Sequence, residues 1–394
     1  MNKYSFLKSR VWQSFIEKNK DMPINQVLLS LKKNTNIDSK ILAQQIVGRQ
    51  IINKKVPSWS NKSELLFPPK IHIEQSSSEM TASYKSSLVS GKSFIDVTGG
   101  FGVDSFFLGK SFENGIHCEL NQDLQFVASH NFKKLHANIT SYSVDGIEFL
   151  KSSDTLFDLI YLDPSRRDEH NKKVIRLENY KPNVLNDLNS WISKGKRILL
   201  KTSPLLDIKQ VINKLPYLSE IHIVAVDNEC KELVFLYDRD VITQSPKLHC
   251  IDLKKQINFS FNLEQESQKS ELSMPLTYLY EPNVSILKAG GFNSLSQTYN
   301  LKKLHNNTHL YTSDEKVSHF PGRMFEILKV VKLDKKQILA YLDCTAANIS
   351  KRNFPLSVSE IRKKTGLKEG GNNYLFATTL LNQNRRVLIC KKIH

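Results

Sequence analysis

The sequence predicts an α/β fold: a mostly parallel sheet ending in an antiparallel hairpin, preceded by a helical N-terminal segment and followed by small α+β domains. Three observations carry this expectation. Strand-like apolar runs alternate with helical patterns from residue 93 to 240. A glycine-rich turn, F-I-D-V-T-G-G-F-G-V-D over 94–104, joins the first of these strands to the first helix. Beyond residue 320 the chain becomes strongly basic.

Taken in order, residues 1–65 read as helical, because apolar positions in SRVWQSFIEKN and INQVLLSLKK recur three and four apart. Pro57, Pro68 and Pro69 break that pattern. A polar stretch, EQSSSEMTASYKSS (74–87), separates it from the sheet. SFIDV (93–97), GIHCEL (115–120), ITSYSVD (139–145), FDLIYLD (157–163) and RILLKTS (197–203) read as strands. VDSFFLGKSF, DLQFVASHNFKKL, DGIEFLKS, NVLNDLNSWIS and LDIKQVINKL read as the helices that follow them. SEIHIVAVD and ELVFLYDR then form the antiparallel pair. Residues 241–272 are polar and weakly patterned, read as strand or linker, and 273–320 look like a small α/β piece. Further on, FEILKVVKL and RRVLICKK read as strands and DKKQILAYLD and LSVSEIRKKTG as helices. The second of these helices opens with capping-box spacing between Ser357 and Glu360. The expected domains are a helical segment 1–88, a sheet domain 89–242, a small domain 243–319 and a basic domain 320–394.

Composition narrows the function. The 394 residues are 40% hydrophobic and 9% aromatic, enough for cores in two or three domains. No run approaches the roughly 18 apolar residues of a membrane span. The N-terminus shows neither an apolar h-region nor a small-residue cleavage site. The five cysteines are scattered, with no CxxC pair and no histidine cluster beside them. These features predict a cytoplasmic protein with no membrane partner and no metal site. The net charge is +17, and residues 320–394, with 15 Lys/Arg against 5 Asp/Glu, supply +10 of it. So concentrated an excess predicts a polyanionic partner, nucleic acid; genomic base composition is the competing explanation.

Two cofactors compete for the glycine turn. Gly100-x-Gly102-x-x-Ser105 nearly matches a dinucleotide fingerprint, with Glu119 about 20 residues on to hold a ribose. S-adenosylmethionine (SAM) uses more of the sequence. Asp96 closes the first strand ahead of the glycines, where a carboxylate suits the methionyl ammonium and would repel a pyrophosphate. Glu119 closes the second strand and can accept from both ribose hydroxyls. Asp145 closes the third and can accept from the adenine amine. Asp163 closes the fourth, where the transferred methyl should point. Four carboxylates thus follow four successive strands, at the edge where such sheets bind ligands. Helix capping alone would also explain an acid such as Asp104 or Asp145.

The second signal is Y-L-D-P-S-R-R-D-E (161–169). Methyl transfer from a sulfonium is an in-line displacement that needs little beyond positioning. An exocyclic base amine is a poor nucleophile, its lone pair delocalised into the ring. The Asp163 carboxylate and the Pro164 carbonyl would accept its N–H bonds and aim that lone pair. Arg166 stands where an aromatic residue often stacks on the base, and a guanidinium can also stack or clamp a phosphate. Arg167 would be its neighbour on the substrate backbone. A solvated charged loop is the plainer reading of both. A pyrimidine C5 target is disfavoured, because that chemistry uses a cysteine and none lies in 157–180.

In combination, D-V-T-G-G-F-G-V-D (96–104), D-P-S-R-R (163–167), L-L-K-T-S-P-L-L-D-I (199–208) and E-Q-S-S-S-E-M-T-A-S-Y-K (74–85) resemble the class I SAM-dependent methyltransferases with a C-terminal THUMP-like domain, known chiefly from Bacteroidetes. Y-E-P-N-V-S-I-L-K-A-G-G (280–291) and N-T-H-L-Y-T-S (307–313) resemble that family's ferredoxin-like insert. R-N-F-P-L-S-V-S-E-I-R-K-K (352–364) and G-G-N-N-Y-L-F-A-T-T (370–379) resemble its THUMP-like end. The resemblance implies a Rossmann-like sheet and an RNA methyltransferase; with the amine chemistry read at Asp163, the expected target is a nitrogen of a base in structured RNA, tRNA or rRNA, although D-P-S-R departs from Asn/Asp-Pro-Pro-Tyr and leaves the target atom open. It implies that Asp96, Thr98, Gly99, Gly100, Phe101 and Gly102 form the SAM turn, with Glu119 on the ribose, Asp145 on the adenine and Asp163 in the catalytic loop. Ser77, Tyr84 and Lys85 would fold over cofactor or substrate. Lys201 would face substrate phosphate, or be a plain surface lysine. In the basic tail, Lys351, Arg352, Lys363 and Lys364 would neutralise RNA phosphates. Phe354 would either stack on an unpaired base or pack in the core. A DNA or protein methyltransferase, and a SAM-binding RNA-associated protein without catalysis, stay open as alternatives.

Overall fold

A computed structural model describes residues 4–31, 39–165, 177–215, 217–241, 243, 245–342 and 345–393. The chain divides into two compact units, Met1–Ser219 with Leu233–Thr243, and Glu220–Glu232 with Gln244–His394.

The first unit opens with α1 (Arg10–Asn19), α2 (Ile24–Leu31), α3 (Ser39–Lys55), α4 (Lys70–Gln75) and α5 (Glu79–Ser87). Then β1 (Gly91–Asp96), α6 (Val103–Leu108), β2 (Phe112–Cys118), α7 (Gln122–Lys134), β3 (Ile139–Tyr142), α8 (Gly146–Ser152), β4 (Phe157–Leu162), α9 (Val184–Lys194), β5 (Gly195–Thr202) and α10 (Ile208–Lys214) follow. The strands run parallel in the order β3-β2-β1-β4-β5. The chain builds outward from β1 to β3, then returns to the other side of β1 for β4. This reversal makes a crevice at the carboxyl ends of β1 and β4, where open α/β sheets bind ligands.

The N-terminal helices share a core with the sheet domain. Trp59 and Phe67 are buried among Phe101, Val103, Phe107, Leu124 and Val127. The polar stretch 74–87 is helix α5 over most of its length, a helix that hydrophobic periodicity does not reveal. Its buried positions are Thr81, Ala82, Lys85 and Ser86, so polar contacts do the work that apolar spacing does elsewhere. Ser86 Oγ donates to the Phe107 carbonyl at 2.6 Å, and the Ser78 hydroxyl caps the first turn.

Two strands follow, β6 (Glu220–Val226) and β7 (Glu229–Asp238). Leu233–Asp238 of β7 pairs antiparallel with β5 inside the first unit. The second unit begins with β6 and the start of β7, joined through Asp227 and Asn228 at φ 55° and 60°, the left-handed pair of a tight hairpin turn. Residues 241–272 hold two strands: β8 (Lys247–Asp252) pairs parallel with β6, and β9 (Ile257–Asn262) antiparallel with β8. The rest comprises β10 (Tyr278–Pro282), α11 (Val284–Ala289), α12 (Phe292–Thr298), β11 (Lys302–Lys303), β12 (Tyr311–Ser313), β13 (Gly322–Val331), α13 (Lys335–Leu339), β14 (Asn348–Arg352), α14 (Val358–Thr365), β15 (Asn373–Thr379) and β16 (Arg385–Ile393). They form one sheet in the order β11-β12-β10-β13-β16-β15-β14, so residues on both sides of 319/320 share it. The Ser357–Glu360 capping box forms in full at the start of α14. Among the described residues no helix is long and apolar enough to cross a membrane.

Candidate active site

The glycine turn holds Asp96 at the end of β1. Asp96 is buried and accepts from Thr98 N at 3.0 Å, from the Thr98 hydroxyl at 3.3 Å and from the Ser105 hydroxyl at 2.5 Å. Burial pushes its pKa up to about 7, against the pull of those bonds. Gly99 is required by close approach: a Cβ there would lie 2.3 Å from Nε2 of the buried His117. Gly102 precedes α6 at φ +85°, a backbone open to glycine. The outer side of the turn is open, since a Cβ on Gly100 would meet only the Thr98 carbonyl, at 3.8 Å. The Phe101 ring points the other way, edge-on to Trp59 in the core. Phe101 therefore contributes its backbone to the turn.

Glu119, one residue past β2, reaches back to the turn. Its Oε2 accepts from Gly100 N at 2.8 Å and its Oε1 from Asn121 N at 2.7 Å. Each oxygen keeps a lone pair for a further donor. Asp145 caps α8, accepting from Ile147 N at 2.8 Å and Glu148 N at 3.2 Å. Gly146 beside it packs so tightly that a Cβ would lie 2.3 Å from the Val97 carbonyl. Capping and proximity to β1 therefore coexist at Asp145.

Asp163 follows β4 directly. Its N–H donates to Thr98 Oγ1 at 2.7 Å, so one hydroxyl ties the end of β4 to Asp96. Its Oδ2 takes a 2.6 Å bond from Lys201 Nζ. Lys201 lies on β5 and is only 8% exposed. Expected to face substrate phosphate or solvent, it is engaged inside the sheet edge. Pro164 is buried behind Asp163. Arg166 and Arg167 lie outside the described residues.

Beneath Asp163 sits a polar network that sequence reading did not assemble. Asp104 accepts from the Ser77 hydroxyl at 2.7 Å and from the Tyr161 hydroxyl at 2.8 Å. It also faces Lys85 Nζ at 3.2 Å and Lys201 Nζ at 3.6 Å. Lys85 is fully buried. Burial opposes a charge on Asp104, yet Lys85, Lys201, Ser77 and Tyr161 together hold it well below the usual carboxylate range. Its role is thus a buried counter-ion rather than a helix cap. Lys85 and Ser77 act below the site, through Asp104. The sequence singles out Ser77 and Lys85 only through the resemblance, as residues that fold over cofactor or substrate.

The second unit carries a separate basic cleft of about 560 Å³, lined by Lys332, Leu333, Phe354, Pro355, Leu356, Gln383, Asn384, Arg385 and Arg386. Lys332 and Arg385 are exposed and Phe354 is half-buried against the core of this region. Of the four tail cations singled out from the sequence, Lys351, Lys363 and Lys364 are exposed. Arg352 is bound to the buried Glu281, Nη2 to Oε1 at 2.9 Å.

Comparison with known proteins agrees with this architecture. A ferredoxin-like domain model matches residues 278–321 and a THUMP domain-like model matches residues 322–392. The chain is similar to a protein from Porphyromonas gingivalis W83 whose crystal structure bears the name "putative methyltransferase". The TM-score is 0.86 at 29% identity, covering 98% of each chain. Two curated proteins from Mycobacterium tuberculosis strains, each named an uncharacterised S-adenosylmethionine-dependent methyltransferase, are 19% identical over 334 residues, 82% of this chain and 85% of theirs.

Proposed function

We propose that this chain, which has a methyltransferase fold followed by ferredoxin-like and THUMP-like domains, is a SAM-dependent methyltransferase that modifies a nitrogen of a base in structured RNA, tRNA or rRNA. One observation carries the reading: Asp96 ends β1, and Glu119, Asp145 and Asp163 follow β2, β3 and β4, in a sheet whose order reverses between β1 and β4. The cofactor would supply an electrophilic methyl on sulfur. Asp96 would take the methionyl ammonium, Glu119 the ribose hydroxyls through its remaining lone pairs, and Asp145 the adenine amine. The open side of Gly100 fits a ligand lying over the turn.

Lys201 occupies Oδ2 of Asp163 and leaves Oδ1 to accept an N–H of the target amine. The Pro164 carbonyl would accept the second N–H, and the lone pair would then face the methyl. Arg166 and Arg167 would follow on the substrate side. For RNA the support is the charge of residues 320–394 and the cleft with Lys332, Arg385, Arg386 and Phe354, where cations meet an aromatic edge. Lys351, Lys363 and Lys364 would extend the phosphate contacts. The test is Asp163→Ala in the full chain. Methyl transfer should fall to background while SAM affinity stays within a few-fold of wild type. Unchanged transfer would overturn the assignment of Asp163, and SAM binding without any transfer by the wild type to RNA, DNA or protein would favour a non-catalytic binder.

A further inference from the structure

The scattered cysteines and the lack of a local histidine cluster predicted no metal site. Strand register brings together what sequence spacing keeps apart. His222 on β6 and His249 on β8 are direct partners in a parallel pair, so their side chains share one face of the sheet. Their rings stack with centroids 4.6 Å apart and planes 10° from parallel. Glu220, two residues before His222, falls on the same face by the period of the strand. Its Oε2 lies 3.0 Å from His222 Nε2 and 3.4 Å from His249 Nε2.

We propose that Glu220, His222 and His249 form a binding site for a divalent transition-metal ion of the zinc class. At metal–ligand bonds of about 2.0–2.1 Å, two ligands of a tetrahedral ion stand about 3.3 Å apart. The two carboxylate–imidazole separations already match that edge. All three donor atoms lie within 4.8 Å of one another, so as the ion enters the imidazole–imidazole edge shortens and the two stacked rings turn until both Nε2 lone pairs meet on it.

The surroundings are those of a ligating histidine. Ser260, the register partner of His249 on β9, places its hydroxyl 2.8 Å from His249 Nδ1. With that hydroxyl accepting Nδ1–H, Nε2 presents its lone pair, the outer hydrogen bond typical of metal-bound histidine. His249 Nε2 is buried and makes no hydrogen bond, and it faces a carboxylate oxygen. In that tautomer the Nε2 lone pair faces a carboxylate oxygen, an arrangement that a cation between them satisfies. His222 is 2% exposed and Glu220 39%, so one side of the triad is walled by protein and the other reaches solvent. Two imidazoles and a carboxylate leave a fourth position for water or another ligand and select zinc-like ions over magnesium or calcium. Lys247 stands opposite Glu220 in register and is the neighbouring charge the ion must tolerate.

The test uses the full chain, stripped of metal with chelator and titrated with Co²⁺, then with Zn²⁺. The expected result is about one Co²⁺ per chain with visible d–d absorption, no thiolate-to-cobalt band, and displacement by an equivalent of Zn²⁺. His249→Gln and Glu220→Gln should each weaken binding tenfold or more while circular dichroism stays that of wild type. Absence of binding, a thiolate band, or an affinity indifferent to both substitutions would overturn the proposal. None of these readouts depends on methyl transfer.

Discussion

Asp96→Asn separates what the turn does for ligand binding from what it does for stability. An ordinary aspartate ionises near 3.8, and burial pushes Asp96 up to about 7. Between those values the unfolded chain has released this proton and the folded chain has kept it. The folded state therefore binds more protons, and stability falls as pH rises from about 4 to 7, then levels. Three pH units at 1.36 kcal/mol each make the penalty at pH 8 about 4 kcal/mol at most. Asparagine keeps the shape and carries no charge. Its Oδ1 can still accept from Thr98 N, and its amide can donate to a turned Ser105 hydroxyl. Allowing about 1 kcal/mol for imperfect bonds, the variant should be some 3 kcal/mol more stable than wild type at pH 8. For a unit of this size that is roughly 6–12 °C in Tm. With the same allowance the gain should shrink to about 0.7 kcal/mol at pH 5 and vanish at about pH 4.5. The assay is thermal unfolding of both proteins at pH 4, 5, 6, 7 and 8, with SAM binding measured alongside. SAM affinity should be lost in the variant, and in wild type should weaken as pH drops below 7, since the ammonium needs an ionised partner. A Tm difference that is constant across pH, or a variant less stable at pH 8, would refute the reasoning.

Other consequences are open to direct measurement. Lys201→Met leaves Asp163 and Asp104 without a shared cation; Asp104 keeps Lys85 and Asp163 is partly solvated, so stability should drop by about 1–3 kcal/mol, seen in urea unfolding, and the methyl-transfer rate should fall even where the protein is folded. Gly99→Ala drives a methyl into His117, costing about 1–3 kcal/mol in thermal unfolding and weakening SAM binding. The double substitution Arg385→Gln with Arg386→Gln should weaken RNA binding and lower the salt slope by about 0.7–0.9 for each phosphate that the variant leaves unneutralised, with SAM affinity untouched. A salt slope equal to wild type would remove the cleft from the RNA surface.

What the sequence made legible was local. The parallel strands announced themselves as apolar runs, and each of Asp96, Glu119 and Asp163 stood out as the first acid after one. The Ser357 capping box could be read from spacing because both its bonds lie within one turn. What was hidden depended on partners far along the chain. Helix α5 showed no helical period because its buried face carries Lys85 and Ser86 rather than leucines, and those residues find Asp104 and the Phe107 carbonyl only after folding. Strands β8 and β9 were obscured because polar residues sit in their pairs, His249 opposite Ser260. Lys201 could be placed at a strand end but not judged buried, since that requires knowing that Asp163 and Asp104 approach it from two other elements. The pairing of His222 with His249 is a fact of register alone.

The most direct test of the central claim is transfer of labelled methyl from SAM to total RNA, taken in parallel from cells lacking this gene and from cells that have it. Label should enter RNA from the deficient cells and not RNA whose sites are already filled. Digestion would then show a nucleoside methylated at a base nitrogen, and Asp163→Ala should abolish the signal. Equal absence of label in both RNAs, by a protein that binds SAM, would contradict the account.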